Sequence, residues 1–240
     1  MADIWHGLDV GTDMSGILNV MLGDNASSAV GPGSYVYLIG ASASSVDSTS
    51  VQTAGINAVG SDLFVMAVGD LSSSPEGTVS DSKLNTWHPL TDVPQGDARM
   101  RLYWSTPAAT EASHTFAYSG SSTYPSIAVL VFSGSHATPN DAEATGTGTS
   151  STASAGSGIT PTQNNELVIA AVGYSANTVS SISSSFIITA DAPVIAFGGG
   201  SHFGVAIAYK IQTAAAAVDP DWTLSGSADW AAAIASFKGT

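Results

Sequence analysis

The sequence predicts an all-β protein: two tandem, internally duplicated β-sandwich domains, Ig-like or jelly-roll-like, preceded by a short N-terminal arm with a helical stretch. Three observations carry this. Apolar residues come in short runs, each bounded by Ser, Gly, Asn, Asp or Pro, as expected for many short strands joined by turns. The chain repeats itself at a spacing of 104 to 106 residues. Ser and Thr make up 59 of the 240 residues and charged residues only 10%, yet hydrophobic content is 44%, enough for a core, so the polar richness does not mean disorder.

The repeat has fixed anchors. Asp62-Leu63-Phe64-Val65-Met66-Ala67-Val68-Gly69 matches Glu166-Leu167-Val168-Ile169-Ala170-Ala171-Val172-Gly173. Ser119-Gly120-Ser121, Tyr124 and the run ending Phe132-Ser133-Gly134 match Ser225-Gly226-Ser227, Trp230 and the run ending Phe237-Lys238-Gly239. Between them Tyr103 aligns with Tyr209 and Phe116 with Trp222, and, with a shorter turn in the second copy, Val79 with Val179 and Trp87 with Phe186. Order and spacing both persist, which is the mark of an internal duplication.

Taken in chain order, residues 1–33 belong to neither copy. Met14, Ile17, Leu18, Met21 and Leu22 fall at i, i+3, i+4, i+7 and i+8 between Asp13 and Gly23, which predicts a short amphipathic helix. Ile4, Trp5, Leu8 and Val10 precede it in an extended arm. Residues 34–135 form the first sandwich, with apolar runs at 35–39, 63–68, 100–104 and 127–132. Residues 136–240 form the second, with runs at 167–172, 186–188, 203–209 and 231–237. The Ala-rich stretch 231–235 has helix propensity, but its place in the repeat is that of the strand at 127–132. Residues 137–158 look like a linker by composition; their register makes them an opening strand with a polar face, followed by a loop.

Charge narrows the function. Five Lys and Arg stand against 19 Asp and Glu, a net charge of -14, and residues 1–82 and 102–209 carry no Lys or Arg. Nucleic acid and anionic membranes, both of which are held through basic residues, are disfavoured partners. Cysteine is absent, which removes disulfides, thiolate metal sites and Cys nucleophiles. Residues 1–6 lack a basic, apolar signal segment, and no run approaches a membrane span.

No motif reaches a catalytic assignment, and no cofactor is expected. His6, His88, His114, His136 and His202 share no metal-ligand spacing. The acids are dispersed, leaving at most an irregular Ca²⁺ site. Gly199-Gly200-Ser201-His202-Phe203 fails the last position of G-x-S-x-G. Positions aromatic in both copies, Tyr103, Tyr209, Phe116, Trp222, Tyr124 and Trp230, are expected in the core. Trp104 aligns with Lys210 and so is expected to face outward as a contact residue. Trp5, Leu8, Ile17, Leu18 and Met21 of the arm are the candidate partner contacts.

Ser80-Asp81-Ser82 with Asn85-Thr86-Trp87, then Tyr124-Pro125-Ser126-Ile127-Ala128 through Phe132-Ser133-Gly134, and Ser227-Ala228-Asp229-Trp230 through Phe237-Lys238, resemble a Ser/Thr/Gly-rich β-sandwich repeat. Such repeats occur in virion proteins of tailed phages, decoration and fibre types among them, and in bacterial surface or secreted proteins. The resemblance covers residues 34–240. Its motifs are structural and carry over no catalytic residue. Secreted members begin with a signal peptide, which residues 1–6 do not supply, so the resemblance implies a non-enzymatic virion subunit, capsid decoration or head fibre, assembled in the host cytoplasm. It would form a homo-oligomer and meet other virion proteins through the arm. The alternative is a glycan-binding or adhesive module outside the cell or on its surface.

Overall fold

Leu63–Leu71 and Glu166–Ser175, the two copies of the strongest anchor, are strands that are apolar on both faces and sit at the same place in two separate sheets. A strand buried on both sides loses the usual alternation and reads as a continuous apolar run. The protein is described by a computed structural model covering residues 37–46, 48–73, 75–120, 124–192 and 203–240. Among these residues all regular structure is β. The expected arm and helix of residues 1–33 lie outside them, as does most of the 199–203 segment.

The first half contributes β1 (Tyr37–Ser45), β2 (Ser50–Gln52), β3 (Leu63–Leu71), β4 (Thr78–Asp81), β5 (His88–Pro89), β6 (Val93–Gln95), β7 (Ala98–Ser105), β8 (Phe116–Ser119) and β9 (Ser126–Ser133). The second contributes β10 (Ser135–Ser154), β11 (Glu166–Ser175), β12 (Val179–Ile182), β13 (Ile187–Ala192), β14 (Phe203–Gln212) and β15 (Asp221–Gly239). One six-stranded sheet runs β1-β9-β3-β7-β5, with β6 also on β7; the other runs β10-β15-β11-β14-β13, with β12 also on β15. Position by position the two orders are the same in sequence terms.

A separate three-stranded sheet, β2-β8-β4, covers the outer face of the first half. The second half builds the corresponding layer from its own long strands: residues 152–154 of β10 pair with 221–223 of β15, and β12 pairs alongside at 222–224. The Ala-rich stretch 231–235 is strand within β15 despite its helix propensity. Tertiary pairing on both sides, to β10 and β11, overrides a local preference worth only tenths of a kcal/mol per residue.

Alternation places the core. Leu63, Val65 and Ala67 of β3, with Leu130 and Phe132 of β9, face Leu167, Ile169 and Ala171 of β11, with Ala233, Ala235 and Phe237 of β15, in one buried cluster. The opposite residues of β3, Phe64, Met66 and Val68, pack under the small sheet with Phe116 and Tyr118. Val168, Ala170 and Val172 of β11 pack under Trp222, Leu224 and Trp230. The halves meet through one apolar layer and each carries a second of its own, so the described residues form one compact unit. Trp222 is 1% exposed, and Tyr103, Phe116 and Trp230 are also buried, whereas Tyr124 and Tyr209 are half-buried.

Contacts across the shared layer are reciprocal. β3 lies on β14 as β11 lies on β7; β9 lies on β14 as β15 lies on β7; β1 meets β13 as β10 meets β6. The last residue of each anchor explains itself here. A Cβ on Gly69 would come within 2.9 Å of the Gly204 carbonyl oxygen, and one on Gly173 within 2.8 Å of the Met100 Cβ and 3.0 Å of the Arg99 carbonyl oxygen. Both copies need Gly where the opposing sheet comes closest.

Gly69→Ala and Gly173→Ala are each expected to destabilise by about 1–3 kcal/mol through overpacking, and Trp222→Ala by about 3–5 kcal/mol through loss of a large buried side chain. Urea unfolding at equilibrium checks all three, and a midpoint unchanged in both glycine variants would refute the close approach.

Candidate functional site

Trp104 does not stand where the sequence alignment puts it. Leu63 pairs with Phe132 and Leu167 with Phe237, so those positions are equivalent. Val65 then pairs with Trp104 and its counterpart Ile169 with Tyr209. Trp104 is therefore the equivalent of Tyr209, Tyr103 of Ala208, and Ser105 of Lys210. A slip of one residue in a strand moves a side chain to the other face. Trp104 is half-buried against the shared layer, stacked on His88 at 4.3 Å between ring centroids and edge-on to Phe237 at 6.5 Å. The other expected contacts, Trp5, Leu8, Ile17, Leu18 and Met21, lie outside the described residues.

On the outer face of the first half, a depression of about 350 Å³ opens between β4 and the β5–β7 edge. Glu76, Thr78, Trp87, Pro89 and Arg101 line it, with Tyr103 beneath. The Arg101 Nε donates to the Leu90 carbonyl at 2.6 Å, its Nη1 donates to Glu76, and the Tyr103 hydroxyl donates to the other Glu76 oxygen. The guanidinium also sits 5.6 Å from the Tyr103 ring centroid. Burial works to raise the Glu76 carboxyl, but the bonds from Tyr103 and Arg101 outweigh it and hold it below the usual carboxylate range. Burial and the Glu76 bond push the Tyr103 phenol up. Sequence reasoning missed this group. The available signal was Arg99 and Arg101, two of only five basic residues, alternating on one strand face.

Beside it lies a buried hub that explains the Asp81, Asn85 and Trp87 positions. One Asp81 oxygen accepts from the Trp87 Nε1 at 2.9 Å; the other accepts from the Lys83 backbone N–H at 2.8 Å and the Asn85 Nδ2 at 3.0 Å. The His114 Nε2 lies 3.1 Å from that second oxygen, with His114 fully buried. Asn85 in turn accepts from the Ala108 and Ala109 backbone N–H groups, pinning the 106–113 loop. The hub ties β4, the turn after it and two loops together, and the Asp81 carboxylate is engaged by groups of the fold.

The second half holds a carboxyl pair. Glu166 is fully buried at the start of β11, accepting from the Gln163 backbone N–H at 3.0 Å, and its carboxyl faces that of Asp141 on β10. Asp141 accepts from the Lys238 Nζ at 2.9 Å and the Thr162 hydroxyl at 2.7 Å. Burial pushes Glu166 up, with Asp141 adding to the rise. Burial also works to raise Asp141, but Lys238 and Thr162 prevail and bring it to about 2. Asp62, the counterpart of Glu166 in the first half, accepts the Gly134 and Ser135 backbone N–H groups at 3.0 and 3.1 Å, closing the link between the halves.

Among the described residues no three or more His, Cys, Asp or Glu gather as metal ligands. No family model, no curated protein and no solved structure matches the chain.

Asp81→Ala strips several buried donors of their acceptor at once, each worth about 1–3 kcal/mol when left unsatisfied, and is expected to lower the urea midpoint more than Trp87→Phe does. The carboxyl pair sets a pH trend. Glu166, raised when folded, contributes stability that is complete below its unfolded value and is lost as pH climbs through its folded value. Asp141, lowered when folded, contributes stability that is lost only as pH falls towards about 2. Stability from this pair is therefore greatest near pH ~4 and falls on the alkaline side. Urea midpoints measured across that range should fall less steeply in Glu166→Gln than in the unsubstituted protein.

Proposed function

We propose that the protein is a non-enzymatic structural subunit of a virion, of the capsid-decoration or head-fibre kind, in which residues 1–33 dock onto a second copy or another virion protein. On this reading residues 34–135 and 136–240 are duplicated β-sandwich modules presented outward, a division supported by the repeated strand order. The observation that carries the proposal is where the apolar residues go. Nearly all of those in the described strands are taken up by the three buried clusters. The exposed large apolar side chains among the described residues are Val59, Leu84 and Ile187, in three separate segments. Ile4, Trp5, Leu8, Met14, Ile17, Leu18, Met21 and Leu22 belong to neither repeat. Burying each is worth about 1.5–3 kcal/mol, which favours a partner surface for them.

The polar clusters support the non-enzymatic part. Asp81, Asp62 and Asp141 each bind backbone N–H groups or neighbouring side chains of the fold. The low basic content and net charge of -14 suit a soluble outer surface, remote from nucleic acid.

Deleting residues 1–33 tests the proposal. The truncated chain should unfold at nearly the same urea concentration as the full chain while losing its oligomeric state in sedimentation and its attachment to particles. A full-length chain that sediments as a monomer and whose truncation unfolds would place those residues in the core instead.

A further inference from the structure

The duplicated scaffold carries its own control, because residues that the fold requires recur in both halves and residues added for another purpose need not. The depression fails to recur. Arg101 and Tyr103 pair with Val68 and Met66, and the residues at the same places in the second half are Ala206 and Ala208, paired with Val172 and Ala170. Glu76 sits in the connection from β3 to β4; the shorter turn from β11 to β12, residues 176–178, has no acid. The second half thus builds the same sheet and the same outer layer without the Glu76–Arg101–Tyr103 group.

We propose that this depression is a binding site for a neutral saccharide. Its chemistry fits that class. Trp87 and Pro89 give apolar wall, against which the C–H faces of a sugar ring pack. Glu76 and Arg101 place an ionised acceptor beside a fork of donors, and together they have more hydrogen-bonding capacity than their bonds to Leu90, Tyr103 and each other consume. Neighbouring sugar hydroxyls, each both donor and acceptor, match such a pair. Tyr103 and Leu90 hold the two groups in place before a ligand arrives, which limits the entropy lost on binding. Glu76 and Arg101 cancel each other's charge, and the rest of the chain is strongly acidic, so the site favours neither an anion nor, with Arg101 in it, a cation. The volume falls at the small end of the ~300–1,000 Å³ range of ligand sites, room for one or two sugar rings. This site is independent of docking through residues 1–33.

The test uses the full-length protein on a printed array of bacterial, plant and animal glycans, followed by calorimetric titration with the best-retained saccharide. Thr78→Lys plants a long charged side chain on the exposed rim without touching the core, and Arg101→Gln removes the donor fork. Thr178→Lys makes the matching change on the second half. The expected result is saccharide retention by the unsubstituted protein, at least a tenfold loss of affinity in Thr78→Lys and in Arg101→Gln, and none in Thr178→Lys, with circular dichroism unchanged. Should Arg101→Gln fail to fold, Thr78→Lys decides. The site is refuted if no glycan is retained, if Thr78→Lys binds as before, or if Thr178→Lys loses binding equally. Deleting residues 1–33 leaves the array result unchanged whatever happens to assembly, so the two proposals fail separately.

Discussion

The apolar layer between the two six-stranded sheets is the constraint on which the rest of the structure depends. Each sheet offers one face to it, and neither half supplies a cover of its own for that face. The layer's thickness is set at a few points of close approach, Gly69 under β14 and Gly173 under β7. Everything outside is arranged to leave that layer undisturbed. Asp62 closes the chain between the halves with its two backbone bonds, the small sheet and its counterpart seal the outer faces, and the polar clusters lie outside the shared layer.

Much of this was legible in the sequence. Each of the eight apolar runs overlaps a strand among the described residues, the two copies of the anchor occupy the same sheet position, and residues 137–158, in spite of their linker-like composition, begin with a long strand. What the duplication could not give was which face a residue takes. Matching Tyr103 to Tyr209 by identity is off by one, and that single step turned Trp104 from an inner-layer residue into an apparent surface one. Nor does a run that is apolar on both faces say what covers it. Val65 and Ile169 read the same whether each half closes on itself or the two close on one another.

The sites were less legible because they are assembled from distant residues with no periodic signal. Glu76 meets Arg101 from the far end of a connection, and Glu166 meets Asp141 from 25 positions away. The Ser80-Asp81-Ser82 and Asn85-Thr86-Trp87 motif was visible, and the structure gives it a physical meaning: a carboxylate that gathers an indole, an amide and an imidazole where β4 ends. Its partner His114 comes from a loop 33 residues away, a distance no motif could anticipate.

The reciprocal layer also bears on synthesis. The first half leaves the ribosome with its inner face complete but without the sheet that covers it, because every strand of the second sheet is encoded after Ser133. At about 5–20 residues per second, the remaining chain takes roughly 5–20 s to appear. During that interval Leu63, Val65, Leu130 and Phe132 are exposed to other nascent chains, and the identical strand order makes another first half the best-matched wrong partner. Covalent linkage counters this by holding the correct partner at high effective concentration once it emerges. Ribosome spacing on the message, and not only the sequence, thus enters into how cleanly this fold is reached.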